Sequence, residues 1–326
     1  MSDRIARRTT LGVLAAATLA GRARAQAWPA RSLRFVVPYP PGGASDIIAR
    51  IIAPPMAEML GQNVVIENRP GANGQIATEQ IARGTPDGYS ILMANAGPNA
   101  LSQALLGSRL PYDSVRDFSF ISLVSAVPMA IAVFPGTPAA NLQELLALAR
   151  ARPGENNYAI GGVGAAPHLT MEALASAAGV RLTVVPFRGG QLAMTAVVGG
   201  QIPIVIDTSP VVLSQVREGR LRGIAVTTLQ RVAMATEVPT IAEQGFPGFE
   251  ATSWGGVLGP PGLPAPVVAR LNEVVVAVLR RADVRETLAR QGVEARPSTP
   301  EQFRDHVASE LRRWTEVVQR ANIQPE

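Results

Sequence analysis

The chain has 326 residues, 47% hydrophobic and 17% charged, and a formal net charge of +5; this excludes a disordered chain and leaves room for two domains of ordinary size. It has no Cys and two His, which excludes disulfides, thiolate metal sites and a cysteine nucleophile; no metal and no cofactor are expected. All 30 basic residues are Arg, and Arg4, Arg7, Arg8, Arg22 and Arg24 against Asp3 place +4 of the +5 in the first 25 residues, so no nucleic-acid partner is expected either.

In chain order, residues 1–25 follow the plan of an export signal: a basic start with Arg7-Arg8, an apolar run from Leu11 to Ala20, and small Ala23 and Ala25 before the cleavage point. Cleavage after Ala25 would leave a mature chain beginning at Gln26, located outside the cytoplasm. The run is about half the roughly 20 apolar residues a bilayer span needs, which argues against an anchor. The arginine pair followed by Thr9-Thr10-Leu11 is compatible with twin-arginine export as well as with the general route.

Thereafter short apolar β-rich runs alternate with helical stretches, the pattern of an α/β protein. Strands are expected at 33–37, 64–67, 90–94, 129–134, 182–186, 204–207 and 223–227, and their nearly continuous apolar character reads as buried parallel sheet. Helices are expected at 46–60, 73–83, 142–151, 168–178 and 191–198. Two long amphipathic ones follow at 266–281 and 300–320, the last with Phe303, Val307, Leu311, Trp314 and Val318 on one face. Thr299 and Gln302 form a capping box around Pro300 at the first helical position. Pro54-Pro55 interrupts an otherwise helical pattern, and a kink or an early stop is expected there.

Two loops carry candidate chemistry. Pro38-Tyr39-Pro40-Pro41-Gly42-Gly43-Ala44-Ser45-Asp46 joins a strand to a helix, so its Gly backbone and the helix start form an anion cradle or, equally, a plain turn capped by Ser45 or Asp46. The stretch from Tyr158 to His168 repeats the design. Gly162 and Gly164 begin a dinucleotide fingerprint that fails at Pro167, while the helix start after Ala165 still favours a carboxylate or phosphate. His168 is a loop-ordering residue or a general base. Asp207 ends an apolar strand, where it orients a ligand hydroxyl or caps a helix. Arg69 and Arg188 sit in Gly-containing turns and are candidates for pairing with a ligand carboxylate. No Walker loop and no nucleophile elbow occur.

Taken in order, the Tyr39 loop, Asn68 to Gly74, Pro86-Asp87-Gly88-Tyr89, the Tyr158 to His168 loop and Pro186-Phe187-Arg188-Gly189 resemble the Bug family, as do Val198 to Gln201, Asp207, Val238-Pro239-Thr240, Ser253 to Gly256 and Arg313-Trp314. These are periplasmic solute-binding receptors of tripartite tricarboxylate transporters. The resemblance implies a type II periplasmic-binding-protein fold: an α/β protein whose two domains, 27–124 plus 250–326 and 125–249, close on a small organic acid. It implies a ligand carboxylate held between the two Gly-rich loops by backbone amides, hydroxyls and waters and not by a dedicated arginine; with the candidates above, the expected ligand-binding set is Tyr39, Pro40, Gly42, Gly43, Ser45, Asp46, Gly162, Gly164, Ala165, His168, Arg188, Gly189 and Asp207, with no catalytic residue. It further implies delivery to membrane permease subunits or a sensor, by a protein expected to be a monomer. Relatives usually carry Ser where Ile160 and Ala165 stand, so fewer hydroxyls and a less polar or aromatic acid are expected. From another class, a secreted hydrolase or isomerase would use His168 and Asp207.

Overall fold

The computed structural model describes residues 28–320; the expected export signal lies outside them. The chain runs β1 (Leu33–Val37), α1 (Ala44–Leu60), β2 (Val64–Asn68), α2 (Gln75–Ala82), β3 (Ser90–Asn95), α3 (Ser102–Leu106), β4 (Ser119–Val133) and α4 (Leu142–Ala151). It continues with β5 (Asn157–Ile160), α5 (Ala166–Ala178), β6 (Thr183–Pro186), α6 (Gly190–Val198), β7 (Ile204–Thr208), α7 (Ser209–Arg217) and β8 (Arg222–Val226). It ends with β9 (Thr252–Gly259), α8 (Ala265–Arg280), α9 (Ala282–Arg290), β10 (Glu294–Ala295) and α10 (Pro300–Arg320).

The strands form one curled mixed sheet in the order β2-β1-β3-β9-β4-β7-β5-β6, with β8 and β10 also pairing β4. Only the outer parts are parallel: β1 with β2 and β3, and β5 with β6 and β7. The centre is antiparallel, which corrects the all-parallel expectation. β4 is 15 residues long; up to Pro128 it pairs β9, and from Met129 it pairs β7 and β8. One strand therefore belongs to both halves of the molecule, which reads in sequence as an unremarkable buried run.

One hydrophobic cluster runs through both halves, joining Leu92, Phe120 and Phe303 to Ile131, Tyr158 and Ile206, and each half adds a further cluster of its own. In the first, Ile48, Ile52 and Met56 of α1 meet Leu33, Phe35 and Val37 of β1 and Leu271, Val274 and Val278 of α8; burying a side chain of this size contributes about 1.5–3 kcal/mol. In the second, Ala130, Ala132 and Ala159 leave room for Met194, Val197 and Val212 of the covering helices. Pro54 and Pro55 stop nothing, for α1 continues to Leu60. The two prolines deprive the Arg50 and Ile51 carbonyls of their helix donors; Arg50 and Pro54 are exposed and Ile51 and Pro55 half-buried, so both gaps fall off the buried stripe of Ile48, Ile52 and Met56.

The capping box forms as read. Gln302 N–H donates to Thr299 Oγ1 at 3.2 Å and Thr299 N–H to Gln302 Oε1 at 3.0 Å. Phe303, Val307, Trp314 and Val318 are buried and Leu311 half-buried. Phe303 meets Phe120 and Trp254 edge-on at 5.2 and 5.7 Å. Its ring lies over Gly256 of β9, where a Cβ would stand 2.2 Å from Phe303 Cζ.

Candidate functional site

Where the two halves face each other, three helices begin on one cleft. α1 follows the Tyr39 loop, α5 follows Gly161 to Ala165, and α6 follows Arg188-Gly189. None has a side chain accepting from its first N–H groups, whereas α4 is capped conventionally by Asn141, which accepts from Glu144 N–H. The sequence explains the difference: Gly43, Ala165 and Gly189 occupy the capping positions and have no side-chain oxygen. The amides of Ala44, Ser45, Ala166, Gly190, Gln191 and Leu192 thus remain unsatisfied among the described residues, at the positive ends of three helix dipoles.

The cleft holds a cavity of about 200 Å³. Its wall brings together Tyr39, Pro40, Gly43, Ser45, Ala165, Arg188, Gly189 and Asp207 from the sequence reading. Gly42, Asp46, Gly162, Gly164 and His168 are not among the residues that line it: Gly42 and Gly162 meet Gln191 and Asn73 across the cleft, and Asp46 and His168 order the loops. Asp46 Oδ2 accepts from Gly42 N–H at 3.0 Å and Arg50 Nε at 2.9 Å, and Oδ1 accepts from Asn68 Nδ2 at 3.0 Å. Burial works against its ionisation, but these hydrogen bonds and the Arg50 charge outweigh it and hold its carboxyl below the ordinary value. Asp46 therefore fixes the shape of the first loop. His168 does the same for the second, its Nδ1 accepting from Gly164 N–H at 3.1 Å.

Of the candidate arginines, Arg69 pairs with Glu67 and lies off the cleft. Arg188 is exposed at the cleft mouth, with no ion pair among the described residues. Ile160 is fully buried and packs in the core, so a hydroxyl there would not reach a ligand. The polarity argument built on that position is corrected; only Ala165 bears on the wall.

Sequence reasoning missed Asn73, Asn95, Gly97, Thr208 and Ser253, all on the wall. Tyr39 Oη donates to Asn73 Oδ1 at 3.2 Å, and Asn73 Nδ2 is buried without an acceptor among the described residues. Ser45 Oγ donates to Asn95 Oδ1 at 3.1 Å. Burial and the Asp207 charge both raise the Tyr39 hydroxyl well above its ordinary value, so it remains a donor. The third helix start was findable, because Gly189-Gly190 precedes a helical run as Gly42-Gly43 does.

The halves touch across the cleft. Gln191 Nε2 donates to the Gly42 carbonyl at 2.8 Å. Pro40 lies against Gly189, and Asn73 against Gly162, where a Cβ would stand 3.1 Å from Pro40 Cγ and 3.5 Å from Asn73 Oδ1 respectively.

The chain is similar to several known proteins. Protein BugT of Bordetella pertussis is 35% identical over 306 residues, covering 94% of each chain. The structure of periplasmic binding protein BugD superposes with a TM-score of 0.87 at 34% identity, over 92% of this chain and 100% of that one. R. palustris Rpa4515 with adipate gives 0.88 at 34%, over 92% and 100%, and MatC from Rhodopseudomonas palustris with bound malate gives 0.84 at 31%, over 89% and 100%. The model of the tripartite tricarboxylate transporter family receptor matches residues 48–323, and the chain belongs to that family of two-domain solute-binding proteins.

Proposed function

We propose that this protein is a periplasmic receptor that captures a small carboxylate in the cleft and hands it to membrane permease subunits. The observation that carries the reading is the convergence of three uncapped helix starts on one cavity, with Arg188 at its mouth. Such a site holds an anion by fixed dipoles without a buried counter-charge, whose desolvation would be costly. Asn73 Nδ2 adds a side-chain donor, held in place by the Tyr39 hydroxyl that donates to Asn73 Oδ1. Relatives of the same fold were solved with adipate and with malate, which supports a carboxylic acid of that size class.

The two domains are taken as 27–124 plus 250–326 and 125–249, closing by a hinge in β4 and before β9. The partner change in β4 between Pro128 and Met129 supports that division. The export signal at 1–25 accords with a periplasmic receptor, and no described helix is long and apolar enough to cross a membrane. The hydrolase reading gains no support from the site: Asp207 is on the cleft wall, whereas His168 is not among its lining residues and its Nδ1 accepts from Gly164 N–H.

The test is calorimetry and thermal unfolding of the chain from Gln26, unfolded and refolded to remove carried-over ligand, against C4 to C6 dicarboxylates, monocarboxylates and aromatic acids. Ligand at a hundredfold excess over Kd stabilises by about 2.7 kcal/mol, several degrees for a protein of this size. One equivalent bound and recovered unchanged supports the receptor. Chemical conversion of the ligand, or no binding by any acid, overturns it.

A further inference from the structure

Asp207 is a carboxylate on the wall of a site built for carboxylates. It is 8% exposed. Its Oδ1 accepts from Thr208 N–H at 2.6 Å and from Thr208 Oγ1 at 3.1 Å. Its Oδ2 accepts from no donor among the described residues, and it lies on the start of α6, where a Cβ on Gly190 would stand 2.1 Å away. Gly190 thus lets the carboxylate approach the helix start from the side, against Cα and not on the amides. Oδ2 is thus left without a protein partner beside the ligand space, and a ligand that covers it without donating to it pays for an unpaired acceptor.

The titratable groups around it supply no donor. Tyr39 faces it from the first loop but gives its proton to Asn73. Arg188 precedes α6 and stays exposed at the rim. His168, in the first turn of α5, presents Nδ1 to Gly164. Burial lifts the Asp207 carboxyl to about 6, partly offset by the two bonds from Thr208.

Resting on the receptor reading above, we infer that Asp207 is the specificity determinant at the α6 end of the cleft, requiring the ligand to present a hydrogen-bond donor to Oδ2. One carboxylate of the ligand sits on the helix starts, and the group at its other end must bring a proton. A dicarboxylate satisfies this by binding with one proton, taken from solvent and shared between its far carboxyl and Asp207; two bare carboxylates at hydrogen-bond distance repel. An ω-amide of the same acid satisfies it without any proton, since a neutral amide pairs with either form of Asp207.

The experiment compares adipate and succinate with their half-amides by calorimetry between pH 5 and pH 8, in buffers of different ionisation heat, on the refolded chain. Dicarboxylate binding is expected to weaken about tenfold per pH unit above roughly pH 6, with uptake of close to one proton. Half-amide binding stays flat, and Asp207→Asn abolishes the slope for the dicarboxylate. Flat dicarboxylate binding without proton uptake in the unaltered protein overturns the inference while leaving the receptor intact, and needs no variant to fold. A slope that persists in Asp207→Asn assigns the proton to His168 or the ligand alone and also overturns it. If neither an acid nor its half-amide binds at any pH, the receptor reading fails and takes this one with it.

Discussion

Gln191 Nε2 lies 2.8 Å from the Gly42 carbonyl, so the first turn of a helix in one half holds a loop of the other. Both residues are exposed, and the bond is therefore expected to tune closure more than folding. Gln191→Ala should accelerate ligand release about three- to tenfold, in line with about 0.5–1.5 kcal/mol for one hydrogen bond. The unfolding temperature without ligand should move by no more than about a degree. Stopped-flow dissociation by competitor reads the first, and an unchanged rate would remove Gln191 from the closure.

Asp207 should leave its mark on stability even without ligand. Its carboxyl stands at about 6 in the folded protein against an ordinary value of 3.8, so the folded state keeps a proton that the unfolded chain has released. That contribution is complete below the unfolded value and is lost as pH rises through the folded one. Asp207→Asn should match the unaltered protein near pH 4 and exceed it near pH 8 by about 2–3 kcal/mol. Urea unfolding at both pH values checks the sign, and a variant less stable at the higher pH would show that the charge itself is needed.

Arg188 sits at the mouth with its charge exposed and without an ion pair among the described residues. Such a charge acts on encounter more than on the bound state. Arg188→Ala should lower the association rate of a carboxylate a few-fold at low ionic strength, and the difference should fade as salt shortens the Debye length to about 3 Å near 1 M. A loss confined to the dissociation rate would instead place the guanidinium on the bound ligand.

How much of this was legible in the sequence depends on what each residue answers to. α4 and α10 were readable to the residue because their apolar faces, Asn141 and the Thr299–Gln302 box are all local signals. Much of the cleft was readable for a similar reason: a strand, a Gly-rich turn and an uncapped helix are contiguous. β9 was not, because Gly255 and Gly256 argue against a strand. Those glycines answer to distant neighbours: a Cβ on Gly255 would stand 2.7 Å from Met93 Cε and 2.8 Å from Ser125 Oγ. The N-terminal part of β4 and the Asn73 and Ser253 wall positions were hidden likewise, since their roles come from segments far along the chain. α7 and α9 are short, and Pro210 and the polar run after Arg281 masked their periodicity.

Gly256 offers a direct test of that long-range dependence. Gly256→Ala should destabilise the protein by about 1–3 kcal/mol, since Phe303 must leave its place between Phe120 and Trp254 to accommodate the methyl group. Phe303→Leu added to that variant should recover part of the loss although it costs stability alone. Additive losses in the double variant, measured by denaturant unfolding, would mean the ring is not what the methyl group meets.

The two halves are not joined by slack linkers. β4 and β9 run side by side as a hydrogen-bonded antiparallel pair up to Pro128 and Thr252, and their register slips between Phe120 and Ser122 and again between Leu123 and Ser125. A pleated ribbon bends readily across its face and resists shear in its plane, and such slips set its resting curvature. On the receptor reading, closure then turns the second half about the end of this ribbon, where β4 changes partner at Met129, and the outer surface carries the resulting angle. On that same reading, a partner senses occupancy from the angle alone, without touching the ligand.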